Sequence, residues 1–512
     1  MLYQPQLFYE SKIQKISTDI CIIGSGAGGA IAAARLAKSG KSVLVLEEGP
    51  YVTREDFTQD EHILLPKLYR WSGALATDDL SMRILQGRAY GGSTTINWMT
   101  SLRPADFVLQ EWADQGLDEY SSRNMDPHFS DIEKRLKVHA IPESDHNNHN
   151  RIILDGCRVL GIKSHTLNNN SNECIGCGHC GIGCSYDAKM DMRLTYLADA
   201  LESNADIITG TRAERIVYHS RQKQEVLATV LCEEYGQYSN RPLRITTSRV
   251  VVAGGAIYTP ILLQQSGLTK SKALGKFFHV HPVTLAVGRY DRDIFPSYGI
   301  PQSAVCDEYI NLDGKGYGFW LEVPPVQVAM SGVNIPGIGE SRRDLMQDLN
   351  KTGTIIVLVR DGANKKSSGS VRWTRGRPRI KYRLSSEDRK HLMMGLEKAI
   401  QIHFAAGAKT VTTTHFKETI LRSPEDIPAI RRLQSGPNQM SLFSAHPQGT
   451  ARMGSRRNKN VSVVNESLEM HHYPGIFVMD GSVLPTALNV NPMITILGVV
   501  SRGLELSDNL TS

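Results

Sequence analysis

A chain of 512 residues is too long for one ordinary hydrophobic core, so two domains are expected. Hydrophobic residues at 41% and charged residues at 21% fit a globular protein in water, and a net charge of +6 without blocks of Lys or Arg argues against nucleic-acid binding. No run of about eighteen uninterrupted apolar residues predicts a membrane span. Met1–Thr18 lacks the apolar centre of a secretory signal, so the cytoplasm is the expected compartment, with peripheral membrane contact left open.

In chain order, Asp19–Ile23 is a short apolar strand that runs straight into Gly24-Ser25-Gly26-Ala27-Gly28-Gly29. Ala30, Ala33, Ala34 and Leu36 follow at helical spacing, Gly40 stops the helix, and Ser42–Leu46 forms a second strand ending at Glu47. This β-α-β unit implies a parallel sheet. Gly24 suits the tight turn, Gly26 lets backbone approach a pyrophosphate, and Gly29 permits close packing of helix on strand. The helix N-terminus offers N–H groups to phosphates. Glu47, 23 residues after Gly24, stands where an acid accepts from ribose hydroxyls and disfavours a 2′-phosphate.

A second glycine-rich turn runs Gly87–Thr94, and roughly 140–172 reads as polar and poor in helix. Strands are expected at Ile207–Thr209, Ala213–Tyr218, Glu225–Cys232 and Leu243–Ala253, followed by a helix at Thr259–Gln265. Between 316 and 360, prolines, loops and apolar runs alternate, with Thr352–Val359 the clearest strand. Ser385–Ala406 is an amphipathic helix with Leu392, Leu396 and Ile400 on one face. The chain closes with a strand at Ile476–Met479, then Asp480-Gly481-Ser482, and a helix at Thr495–Leu506. One large cofactor touched by three distant segments suits this layout better than a nicotinamide dinucleotide, which usually needs only the first loop.

Four of the eight cysteines fall together as Cys174-x2-Cys177-x2-Cys180-x3-Cys184. The spacing is that of bacterial iron–sulfur ligation, so one [4Fe–4S] cluster is an expected cofactor, with zinc or disulfides as alternatives. Gly176, Gly178, Gly181 and Gly183 give the loop backbone freedom, while Ser185 stands where proline commonly follows. Cys21 lies in an apolar strand and reads as core.

The blocks Gly24–Gly29, Gly87–Asn97, His446-Pro447-Gln448-Gly449-Thr450-Ala451-Arg452-Met453-Gly454 and Asp480–Thr495 resemble, in order, those of the glucose–methanol–choline (GMC) oxidoreductases. The resemblance spans nearly the whole chain. It implies an α/β fold, with a Rossmann-like FAD-binding domain and an inserted α+β substrate domain on an antiparallel sheet. The expected FAD domain is discontinuous (1–110, 190–285 and 440–512), with a connecting region at 111–189 and a substrate domain at 286–439. The resemblance places Glu47 at the adenosine ribose, Gly91 and Gly92 near the diphosphate, and Ser93 and Asn97 along the ribityl–isoalloxazine side. Ala213 would meet adenine through its backbone, and Asp480, with Gly481 beside it, would hold ribityl or pyrophosphate oxygens. No histidine in the Gly87–Asn97 loop could tether the flavin, so FAD is expected to be non-covalent.

Hydride removal from an alcohol needs a group that takes the hydroxyl proton, and histidine suits the task near neutrality. Composition selects none of the 16 histidines; His62, His179, His279, His281 and His403 read as structural. The resemblance puts His446 at the base and Asn491, 45 residues on, at the position that orients the substrate oxygen. An amide there donates to the oxygen without titrating. The cysteine-rich loop and the stretches Val357–Asp361, Tyr382–Asp388 and Ala405–Ala408 resemble the long-chain alcohol oxidase branch, so an apolar alcohol is the expected small-molecule substrate. A cluster would pass electrons to an outside acceptor, whether oxygen, quinone or a redox protein. A sugar or polyol dehydrogenase and a flavin-containing cyanohydrin lyase of the same family are the rival readings. Glu322 reads as structural, with an active-site acid as the alternative.

Overall fold

The computed structural model describes residues 1–4, 14–234, 237–334, 339–363, 368–507 and 510. Its first sheet has eight strands, in the order Leu2–Tyr3, Asp206–Ile208, Val43–Leu46, Gln14–Ile23, Gln237–Val252, Lys223–Glu234 and Thr211–Ser220, with Ile476–Val478 also on Gln237–Val252. The strands from Leu2–Tyr3 to Gln237–Val252 pair in parallel, and the long hairpin at the far edge is antiparallel. Helix Ala27–Lys38 buries most of its length against this sheet, because its small residues allow close approach. Register aligns the strand ends. Ile23 lies opposite both Leu46 and Val252, and Val252 lies opposite Val478, so all these strands end in one row. Gly24, Glu47, Gly254 and Asp480 therefore emerge side by side at the carboxyl edge, where open α/β sheets bind ligands.

The second sheet has nine strands and is almost wholly antiparallel. Its centre is Thr352–Val359, every residue of which is buried, between Val283–Arg289 and Phe319–Glu322. Helix Ser386–Ala405 covers one face, started by Ser385, whose hydroxyl accepts from the Asp388 N–H at 3.0 Å. The sheet also recruits short strands from distant sequence, at Arg83–Ile84, His165–Thr166 and Phe443–Ser444.

The stretch expected to be poor in helix contains one of 13 residues, Asn148–Leu160. Its polar composition concealed a capped amphipathic segment. The Asn147 side chain accepts from the Asn150 N–H at 2.8 Å, and Ile152, Ile153, Gly156 and Cys157 form the buried face. Two further helices, Val328–Asn334 and Glu340–Gln347, occupy the region read as strands and loops. Among the described residues, no helix is long and apolar enough to cross a membrane.

Candidate active site

A cavity of about 810 Å³ runs from the carboxyl edge of the first sheet to the face of the second. At one end stands the Gly24–Gly29 loop. Gly24 has φ +106°, and a side chain on it would meet the Ala253 carbonyl at 2.4 Å. A Cβ on Gly29 would strike the Gly24 carbonyl at 2.0 Å, so its role is packing, and it does not line the cavity. Gly26 faces open space, with only the Gly92 Cα 3.9 Å from where its Cβ would sit. It also precedes helix Ala27–Lys38 with no side-chain cap, the arrangement a diphosphate requires.

Glu47 is buried and accepts from the Ser25 N–H (3.0 Å), the Ser25 hydroxyl (2.6 Å) and the Gly49 N–H (2.7 Å). Burial nevertheless raises its pKa above the ordinary value. The Gly91 N–H donates to the same Ser25 hydroxyl, joining the two glycine-rich loops. Gly91, at φ +90°, makes the turn from beneath, while Gly92, Ser93 and Asn97 line the cavity. Ala213 lines it from the edge strand, and Asp480 and Gly481 from the carboxyl row. Asp480 accepts from the Gly255 N–H at 2.8 Å, the Thr259 hydroxyl at 2.5 Å and the Ser482 N–H at 2.8 Å. The open face at Gly26, the helix N-terminus and the buried acids fit an FAD along this wall.

At the other end, His446 and Asn491 line the same cavity. Burial, with His281 beside it, holds the His446 imidazole well below its ordinary pKa, so the ring is neutral. Its Nδ1 lies 3.1 Å from Nδ1 of His281. Asn491 is buried, and its Oδ1 lacks a hydrogen-bond partner. Its amide bonds to Glu322, whose carboxyl burial pushes up to about 8. Gln302 Nε2 donates to Glu322 at 2.5 Å, and Thr100 donates to Gln302 Oε1 at 2.5 Å. Around these polar groups the walls are apolar: Leu85, Ile96, Val283, Ile356, Leu358 and Phe443.

The cysteine loop departs from expectation. Cys174, Cys177, Cys180 and Cys184 are free thiols, and among the described residues no group of three or more His, Cys, Asp or Glu side chains is gathered to hold a metal. The loop is organised around packing instead. Cys180 is buried with Met99, Ile141 and Ile300, while Cys177 stays half-buried. Burial raises the Cys174, Cys177 and Cys180 thiols, keeping them protonated. Buried Lys189 ties the loop to the Gly87–Asn97 turn by donating to the carbonyls of Thr95 (2.6 Å), Asn97 (3.1 Å) and Cys180 (2.9 Å).

Several cavity-facing groups were not legible. Arg70 pairs with Glu48 at 2.6 Å and stacks on Tyr258 at the rim. Burial raises the Glu48 pKa, but Arg70 pulls it below the ordinary value. Gln302, Thr100 and Arg70 carry no sequence signal. His281 carried a weak one, in the pattern His279-Val280-His281-Pro282 immediately before a strand.

Comparison with known proteins agrees with this geometry. The GMC oxidoreductase family matches at residues 65–283 and 365–499, and an NAD(P)-binding Rossmann-like domain at 22–61. Long-chain-alcohol oxidase FAO4B of Arabidopsis thaliana is 32% identical over 506 residues, covering 94% of this chain and 66% of its own. Long-chain-alcohol oxidase FAO4A of the same plant is 32% identical over 520 residues, covering 97% and 69%. The chain thus spans about two thirds of the length of these relatives. A solved formate oxidase of Aspergillus oryzae, studied for its FAD modification, superposes with a TM-score of 0.70 at 15% identity, covering 96% of this chain and 98% of that one.

Proposed function

The chain belongs to the GMC oxidoreductase family, and from that premise we propose that it oxidises the CH–OH group of an apolar alcohol with non-covalent FAD. The observation that carries the reading is the pairing of neutral His446 with buried Asn491 on one cavity whose opposite wall is a dinucleotide loop. Gly24, Gly26 and Gly92, with Gly91 shaping the turn beneath, would hold the diphosphate of FAD, Glu47 and Ala213 the adenosine, Ser93 and Asn97 the ribityl and ring side, and Asp480 with Gly481 ribityl or pyrophosphate oxygens. When bound, the flavin supplies the hydride acceptor. His446 takes the hydroxyl proton on an imidazole nitrogen, and Asn491 holds the substrate oxygen, so that charge developing on that oxygen meets a fixed donor. The apolar walls favour an aliphatic alcohol over a sugar, as do the names of the plant relatives. No electron step is assigned to the cysteine loop. We read residues 1–110, 190–285 and 440–512 as chiefly the FAD domain and 286–439 as chiefly the substrate domain, with Arg83–Ile84, Phe443–Ser444 and the start of strand Val283–Arg289 crossing over to the second sheet.

The test is anaerobic mixing with a long-chain primary alcohol while the flavin spectrum is followed. Bleaching of the oxidised flavin bands is expected; an inert flavin with product formed would favour the lyase reading. His446→Ala is expected to retain FAD and to lose about 10²–10⁴-fold in the rate of bleaching. Unchanged bleaching would remove His446 as the base.

A further inference from the structure

The reading of His446 as a base leaves open which ring nitrogen holds the lone pair, and its neighbour answers this. His281 Nε2 lies 2.6 Å from the Leu488 carbonyl oxygen. A carbonyl only accepts, so this nitrogen carries the hydrogen. Gln448 Nε2, 3.1 Å from the same nitrogen, is itself a donor and turns to the His446 carbonyl instead. A neutral His281 then has its lone pair on Nδ1. That atom faces His446 Nδ1 at 3.1 Å, with the two rings nearly perpendicular at 85°. Two ring nitrogens at this distance are bonded when one of them carries the hydrogen, which here belongs to His446.

We propose that His281 is a positioning residue: it locks His446 in the Nδ1–H tautomer and leaves Nε2 as the proton-accepting atom. The proposal rests on the assignment of His446 as base. The described residues offer that Nε2 no hydrogen-bond partner. Once Nε2 takes the substrate proton, His446 carries hydrogens on both nitrogens, and His281 Nδ1 continues to accept from Nδ1–H.

The backbone is built for this task. His281 sits at φ +49°, in the left-handed region that side chains other than glycine seldom occupy. Buried Asp361 holds it there, accepting from the N–H groups of His281 (3.1 Å) and Val280 (3.3 Å). The other Asp361 oxygen accepts from Tyr382 (2.9 Å) and bonds His279 Nδ1 (3.0 Å). Strained backbone held by converging bonds is characteristic of functional positions.

Long-range 1H–15N correlation of the FAD-bound enzyme carrying 15N-histidine reads the tautomer directly. The His446 signals are assigned by their loss in His446→Ala. We expect a protonated Nδ1 and an unprotonated Nε2 in the unsubstituted enzyme; the opposite tautomer overturns the proposal whatever the turnover. His281→Asn, whose oxygen can accept near the Nδ1 position and whose backbone tolerates the left-handed region, should keep the tautomer and lose less than about tenfold in flavin reduction. His281→Leu should lose the tautomer and about a hundredfold or more. A Leu variant with Nδ1–H and the original rate overturns the proposal. If that variant fails to bind FAD, the unsubstituted spectrum and the Asn variant still decide. Unchanged reduction in His446→Ala would defeat the base assignment alone, since the tautomer is measured without turnover.

Discussion

At the scale of single residues, the His446 end of the cavity is governed by buried groups without counter-ions. Glu322 is 1% exposed and is held by Gln302 and Asn491, neither of them charged. Its carboxyl therefore stays protonated to about pH 8, against 4.5 for an unperturbed glutamate. Between those two values the native state holds a proton that the unfolded chain releases, so stability falls as pH rises through the window. Below about pH 4.5 both states are protonated, and this dependence vanishes. We expect denaturant midpoints to decline between pH 5 and pH 8.5, and Glu322→Gln, neutral throughout, to flatten that decline. An identical slope in the variant would assign the dependence to other groups.

Among the elements, the helix Asn148–Leu160 shows how tertiary contact settles an ambiguous segment. Gly156 lies so close to helix Ser386–Ala405 that a Cβ would meet the Ile402 carbonyl at 2.4 Å. Gly156→Val is expected to destabilise the protein by about 1–3 kcal/mol through overpacking. Because the site is remote from the cavity lining, flavin reduction per folded molecule should be unchanged. Thermal melting and anaerobic reduction on one preparation check both halves. Lys189 plays an equivalent part for the cysteine loop, donating to three carbonyls drawn from two separate loops.

Across the whole molecule, the cavity is bounded by both sheets, so a ligand filling it bridges two cores. Removing FAD should lower the melting temperature, and adding it back at about 100 times its Kd should restore roughly 2.7 kcal/mol. A melting curve indifferent to FAD would contradict the assignment of the cavity. The dinucleotide half of this architecture was legible because its determinants are local. Strand, turn, helix and strand follow within one short stretch, and Gly24 and Gly29 are fixed by contacts only a few residues away or at the adjacent strand end. Strand Thr352–Val359 and helix Ser386–Ala405 were legible for the same reason, the strand through its apolar run and the helix through its amphipathic period.

By itself, then, the sequence determined the glycine-rich loops, the acid ending the second strand, the family blocks and the identity of His446 and Asn491 as the residues to examine. Tertiary structure alone decided their partners. Val283 pairs with both Leu358 and Phe443, and this register draws His281, Asp361 and His446 to the ends of three strands separated by up to 165 residues. No local pattern encodes a pairing at that range. The four cysteines show the converse: their spacing promised a metal set, but the positions of the thiols depend on what the loop packs against. Short-range sterics and hydrogen bonding are written in adjacent residues, whereas hydrogen bonds between distant side chains exist only once strand register and burial have brought them together.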